Sequence, residues 1–435
     1  MSNRIKYYIK ELLNIAFPII LGNLGFILIG VGDVLIAGRH STDTLAAISI
    51  AAAIINCIHI FGIGIIGGVS PLLSNYRGAK KQTKKYLFPT IRFAMFLAFI
   101  ITLVTLAFIP LIDKLNYGSL TPMIKEYMFV SAFATFGGYL HAAVKEYLQA
   151  YEIVLFPNLL TALAVILNIV LNIIFVFGCG PIPSLGVLGL AFASFIVRYF
   201  MGFALLIYCL NIMKFKDCKD WNYYKELLKI GIPISCAIIV EFVAFNSIAI
   251  IMGKISGIYA AAQNMICTMT TVSFMVPLAI SNAIAVKVGF ANGEGNIPEL
   301  KKYAFTGTVI SVCFMFCSAV IFANFPEFLV KLFTSDTELI KISIPVVYIL
   351  SVFQIFDGLQ ISLSGILKGL KKTNVILFSN FTAYWLVSIP IGCTLAFRFN
   401  LNLIGFWIGL VFAAIVLCII MTALLFKHVR KLEQR

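Results

Sequence analysis

Twelve stretches of this chain are apolar, and each is near the roughly 20 residues that a helix needs to cross a bilayer. They cover residues 12–37, 45–75, 87–112, 123–148, 158–178, 186–213, 226–253, 259–288, 303–325, 340–367, 374–397 and 402–427. A water-soluble domain cannot hide that much apolar surface. Of the 435 residues 61% are hydrophobic and 12% charged, with a mean hydropathy of +1.01, whereas soluble domains are about one-quarter charged. Lipid is therefore the solvent. Because lipid offers the backbone no hydrogen bonds, each stretch reads as a spanning helix. The first, Leu12–Ala37, is longer than the apolar region of a cleaved signal and is expected to stay as a span.

The formal charge of +15 would suit nucleic acid, but the basic residues sit in short loops between the apolar stretches. That is where a membrane protein keeps them to set its orientation, so nucleic acid is not an expected partner. With the N-terminus inside, 24 Lys and Arg fall in inner segments, among them Arg4, Lys145, Lys214 and Arg435. Seven fall outside, namely Arg39, Lys114, Lys125, Lys254, Lys331, Lys341 and Arg398, while Arg92 and Arg198 lie within spans. Both termini are thus expected on the cytoplasmic side of a cell membrane (inner or plasma). The ten cysteines are scattered, with no metal-binding spacing, and read as small apolar fillers.

The chain repeats itself. Residues 10–19 read KELLNIAFPI and residues 225–234 read KELLKIGIPI. A constant offset of 215 carries Lys10–Gly78 onto Lys225–Gly293 without a gap, matching Pro18 to Pro233 and Gly38 to Gly253. Further on, an offset of 222 aligns VLFPN (Val154–Asn158) with ILFSN (Ile376–Asn380), and an offset of 216 aligns Gly189 with Gly405. Each half has six spans. An even number leaves both halves facing the same way, related by an axis along the membrane normal. The expected fold is an all-α polytopic membrane protein, with 12 transmembrane helices in two pseudo-symmetric six-helix bundles around a central cleft. The expected boundaries are an N-terminal lobe over 1–213, a cytoplasmic linker over 214–225 and a C-terminal lobe over 226–435.

Several polar side chains lie where lipid or packed apolar atoms would surround them. Glu241 is 12 residues before Gly253, roughly 18 Å along the helix. Asp357 sits near the middle of the tenth span, with Gln354 and Gln360 three residues either side and so on the same face. In the first half, Asp33 is five residues before Gly38, and Asn168 and Asn172 form an i, i+4 pair at a similar depth. A carboxylate at mid-membrane costs about 3 kcal/mol to insert and is normally turned toward protein or a wet cavity. Each can simply pair with a structural base, for which Arg198 is available, and the two asparagines can be interhelical glue. Under the offsets, however, Glu241 matches Phe26, Asp33 matches Ile248 and Asp357 matches Thr135. The scaffold is duplicated and the charges are not. A carboxylate out of water can take up H⁺, Na⁺ or an organic cation, and competition among these is the minimum equipment of an antiporter. Phe26, Phe245, Phe274, Met269 and Met275 would give such a site a soft wall for flat cations, or are ordinary packing. GIGIIGG (Gly62–Gly68) lies inside a span and reads as close helix packing, and His59 and His141 read as packing too. No nucleophile–base or metal constellation supports an enzyme, and no cofactor is expected.

These residues resemble the multidrug and toxic compound extrusion (MATE) family, in particular its NorM-like branch. The resemblance rests on Pro18, Asp33 and Gly38 followed by Leu45-Ala46-Ala47; on GIPISCAIIVEF (Gly231–Phe242); on VPLAISNAIAVKVGFANGEG (Val276–Gly295); and on FQIFDGLQISLSGILKG (Phe353–Gly369). It implies a twelve-helix exporter of cationic amphipathic compounds, exchanging them for Na⁺ or H⁺ by alternating access. Glu241 and Asp357 match the family's second-lobe cation site, where Na⁺ can sit, and Asp33, Asn168 and Asn172 match its first-lobe polar cluster. Gln263, Asn282, Gln354 and Gln360 are secondary candidates. Ala262 departs from the pattern, since many relatives carry His there before Gln263. The partners implied are small organic cations and membrane lipid, with the protein working as a monomer. The rival reading is a lipid-linked precursor flippase, which would need several cations in its central cavity.

Overall fold

The computed structural model describes residues 2–213 and 215–434, with side chains from residue 5 onward. Of the basic residues used for orientation, Lys214, Arg435 and the side chain of Arg4 lie outside the described residues. Among the described residues, twelve helices are long and apolar enough to cross a membrane: α1 (Ile5–His40), α2 (Thr42–Gly78), α3 (Thr83–Leu115), α4 (Gly118–Ala150), α5 (Leu155–Phe177), α6 (Val187–Ile212), α7 (Trp221–Ile255), α8 (Gly257–Glu294), α9 (Ile297–Asn324), α10 (Thr337–Gly369), α11 (Thr373–Arg398) and α12 (Asn402–Glu433). Among the described residues no strand forms, and an isolated Cys179–Ile182 bridge follows α5.

The helices extend beyond their apolar cores because polar first and last turns are still satisfied within the helix and by caps. Ser41 begins α2 from an extended backbone and accepts a hydrogen bond from the Thr44 amide at 3.0 Å. Ser256, at the same offset of 215, begins α8 in the same way and accepts from the Ile258 amide at 3.4 Å. The repeat is thus written into the turns as well as the spans.

Two compact units result. The first holds residues 17–77 and 81–235; the second holds residues 1–16, 78–80 and 236–435. Each unit therefore includes a short strap from the other half of the sequence, and the straps are repeat-equivalent. In the first unit, Tyr223 stacks on Tyr86 with ring centroids 4.6 Å apart, and its hydroxyl lies 2.6 Å from that of Thr90. In the second, Tyr8, the repeat mate of Tyr223, packs edge-on to Tyr303 at 4.9 Å, while Lys287 donates to Glu11 at 2.5 Å. Tyr86 and Tyr303 each follow a Lys-Lys pair.

Small residues set the helix spacing inside each unit, as expected where lipid removes the hydrophobic drive for helix association. A Cβ on Gly137 of α4 would lie 2.7 Å from the Tyr199 amide of α6. In the second unit, a Cβ on Gly365 of α10 would lie 2.5 Å from the Ser281 carbonyl oxygen of α8. GIGIIGG serves the same purpose, since a Cβ on Gly64 would meet the Ser235 backbone at 2.6 Å.

Candidate functional site

In the first unit α1, α5 and α6 bring one polar cluster together. Asn172 donates to Asp33 at 2.6 Å and to the Asn168 side-chain oxygen at 3.1 Å, and Ser194 donates to the second Asp33 oxygen at 3.4 Å. Asn168 and Asn172 are fully buried. Arg198 exerts an electrostatic pull on Asp33 without an ion-pair contact. The three residues expected from sequence meet. Ser194 was not foreseen, since a serine in an apolar span gives no signal of its own.

In the second unit α7, α10 and α11 assemble the other cluster. Tyr384 donates to one Glu241 oxygen at 3.1 Å, and Asn380 donates to the other at 3.4 Å. Asp357, 3% exposed, accepts from Gln360 at 2.9 Å. Glu241 lies in the field of Asp357, and Tyr384 in the field of both. Lys368 also exerts a field at Glu241. Among the described residues, no basic side chain forms an ion pair with Glu241, Asp357 or Asp33. These carboxylates are therefore not spent on holding a structural base.

The backbone around Tyr384 is unusual. Helix α11 widens into π-helical turns over Thr382–Ser388 and again over Thr394–Arg398, either side of Pro390. Such turns inside α-helices gather at functional sites. Asn380 and Tyr384, four residues apart, face α7 together. Asn380 was legible only as a repeat position, the mate of Asn158, and Tyr384 had no sequence signal.

The secondary candidates separate. Gln360 joins Asp357. Gln354 turns aside and accepts from Ser318 at 2.5 Å. Gln263 accepts from Trp407 at 2.9 Å and braces the aromatic wall, in which Phe245 lies 5.9 Å from Tyr384 and 6.3 Å from Phe353 and Trp407. Asn282 makes no hydrogen bond through its side chain among the described residues and joins neither carboxylate. Of the other soft residues, Met269 is 3% exposed, which is packing, and Phe26 belongs to the first unit. His59 shares a hydrogen bond with Thr135 at 3.0 Å, and so is satisfied in the core.

The second-unit cluster offers hard oxygen donors suited to a proton or an alkali cation. Besides the carboxylates there is the Asn380 side-chain oxygen, buried and without a hydrogen-bond partner. Among the described residues no three His, Cys, Asp or Glu side chains converge as a transition-metal site would require.

Twelve helices long and apolar enough to span, in two units that each enclose a carboxylate cluster with no ion pair among the described residues, define a polytopic membrane protein. The MatE family profile matches residues 18–174 and 233–394, and the chain belongs to that family. It is 29% identical over 426 residues to a probable multidrug resistance protein NorM of Mesorhizobium japonicum, covering 92% of this chain and 90% of that one. The fold matches that of a MATE transporter crystallised in the bent conformation, with a TM-score of 0.89 and 20% identity over 98% of this chain and 96% of the other. It also matches the eukaryotic MATE transporter AtDTX14, with a TM-score of 0.87 and 21% identity over 99% of each chain.

Proposed function

We propose that this protein is a multidrug efflux antiporter that expels cationic amphipathic compounds in exchange for Na⁺ or H⁺. The observation that carries the reading is the Glu241–Asp357 pair: two interacting carboxylates, held by Tyr384, Asn380 and Gln360, with no ion-paired base. Burial penalises bare negative charge, so the pair is most stable when a positive guest neutralises it. An inward-moving ion and an outward-moving organic cation then exclude one another from the same charge, which couples their fluxes. Phe245, backed by the buried rings of Phe353 and Trp407, gives a flat cation an aromatic face. Alternating access by the two lobes, with both termini in the cytoplasm of a cell membrane, completes the cycle.

The names of the curated relatives support drug efflux, and a flippase of lipid-linked precursors gains no support from Arg198, whose field falls on Asp33. The test is ethidium efflux from proteoliposomes under separately imposed Na⁺ and H⁺ gradients. One gradient should drive efflux, and Glu241→Gln or Asp357→Asn should abolish it in protein that inserts normally. Unchanged efflux in both variants would overturn the assignment.

A further inference from the structure

The first unit contains a second polar group that the Asp33 cluster does not use. On α4, His141 and Lys145 are one helical turn apart and share a face. Both reach Phe26 of α1: the His141 ring centroid is 6.0 Å from the Phe26 ring, and the Lys145 ammonium is 5.7 Å from it. His141 is 2% exposed, and its Nε2 has no hydrogen-bond partner. Lys145 forms neither an ion pair nor a hydrogen bond through its ammonium among the described residues; its neighbour Glu146 attracts it only through space. Asn23, one turn before Phe26 and so on the same side of α1, keeps its buried side-chain nitrogen without an acceptor. Phe26 itself is 47% exposed.

An unmatched cation in a spanning helix is costly, and so is each buried donor left without an acceptor. What Lys145 and Asn23 lack is an acceptor, and an imidazole protonated at Nε2 lacks the same. The sequence repeat adds that this group is no part of the shared scaffold. At the offset of 222, His141 and Lys145 fall on Leu363 and Leu367 of α10.

We infer that Lys145, His141 and Phe26 form a subsite for an anionic oxygen, such as a carboxylate, carried on an amphipathic organic molecule whose flat apolar part lies on Phe26. This rests on the drug-transport reading and assigns residues to the negative end of a transported molecule. The negative end of such a molecule suits Lys145. An anionic lipid headgroup presents the same oxygen chemistry, and the test separates the two sources.

The probes are rhodamine B, which carries a free carboxylate, and its ethyl ester, in which an ethyl group replaces that charge. Binding to the full chain is measured by fluorescence polarisation in phosphatidylcholine nanodiscs. In the wild type the acid should bind tighter than the ester. Lys145→Met should lower the acid-to-ester affinity ratio by roughly tenfold, the scale of one charge-assisted hydrogen bond, and Lys145→Arg should restore most of it. Repeating the measurement with phosphatidylglycerol in the nanodisc identifies the source: the ratio survives if solutes occupy the subsite and collapses in the wild type if lipid headgroups do. A ratio that Lys145→Met leaves unchanged, with the ester still binding, overturns the subsite and leaves drug transport standing. Failure of the wild type to bind either dye overturns the transport reading and the subsite together.

Discussion

Helices α4 and α10 occupy matching places in the repeat, yet carry opposite polar chemistry. Where α10 has Asp357, α4 has Thr135, which shares a hydrogen bond with His59 at 3.0 Å. Where α4 has His141 and Lys145, α10 has Leu363 and Leu367. Both helices nevertheless use glycine to approach a neighbour closely, at Gly137 and at Gly365. The difference teaches which parts of a duplicated membrane scaffold are free to diverge. At the same offset Gly137 falls on Leu359 and Gly365 on Ala143, so each close approach belongs to one copy and the glycines have diverged as well. A polar side chain facing an interior can differ between copies, provided that its partners change with it. The acidic pair in the second unit did acquire partners, Tyr384, Asn380 and Gln360, from two helices.

The comparison breaks most sharply at the acidic pair. Glu241→Gln and Asp357→Asn should each lower gradient-driven ethidium efflux on the order of 100-fold, and the double variant should lose no more than either single one. Residues acting as one site are non-additive, whereas independent ones multiply their losses. Multiplied losses would mean two separate ion positions rather than one shared pair.

A smaller effect is expected at Asp33. Its carboxylate is held by Asn172 and Ser194 and lies in the field of Arg198, so part of its charge is already balanced. Asp33→Asn should reduce efflux by about fivefold and leave the driving ion unchanged, since that ion is assigned to the other unit. A loss as large as that of Glu241→Gln would shift the coupling site toward the first unit.

The sequence made the helices readable because lipid imposes a length and a composition on every span, and the repeat gave twelve spans in two matching halves. It also placed Asp33 with Asn168 and Asn172, because helix periodicity puts the two asparagines on one face and Asp33 lies at a similar depth in its own span. What it left hidden was relational. Tyr384 is one aromatic among many until the π-helical turns of α11 and the line of α7 bring its hydroxyl to Glu241. Gln354 shares a face with Asp357, yet Ser318 of α9 draws it away, and no pattern within one helix reveals a neighbour's donor. The straps were hidden for the same reason. KELLNIAFPI and KELLKIGIPI are visible as a repeat, but the unit each strap joins is set by tertiary contacts.

Packing gives the next effect in size. Gly365→Ala puts a methyl 2.5 Å from the Ser281 carbonyl oxygen and 2.7 Å from its hydroxyl. Overpacking of this kind costs about 1–3 kcal/mol, so the melting temperature should fall by several degrees, at about 2–4 °C per kcal/mol for units of this size. Gly30→Ala is the matched control, because nothing lies within 4 Å of its Cβ position. Alanine outranks glycine inside a helix by up to about 1 kcal/mol, so this variant should melt no lower than the wild type. Equal melting of the two variants would remove the claim that α10 is held against α8 through Gly365.

The smallest effect separates the two straps. Asp220, outside the spans, has its carboxyl held below the usual carboxylate range, first by the hydrogen bond that Tyr86 donates at 2.8 Å and then by the Tyr223 and Asn222 amides. A carboxyl depressed on folding contributes stability above its unfolded value of 3.8, and that contribution is lost as the pH falls through the lower folded value. The wild type should therefore melt above Asp220→Asn at neutral pH by about 2 °C or less, the group being half-buried at the surface. The gap should close as the pH falls below about 4, with detergent and salt held constant. Glu11→Gln makes the corresponding change in the other strap, where Lys287 is buried and would lose its bond to the Glu11 carboxylate. Breaking a pair with a buried member costs more than breaking a surface bond, so this variant should melt lower than Asp220→Asn at neutral pH. If instead the two straps respond alike, the burial of Lys287 adds nothing to its bond with Glu11, and the straps match in energy as well as in sequence.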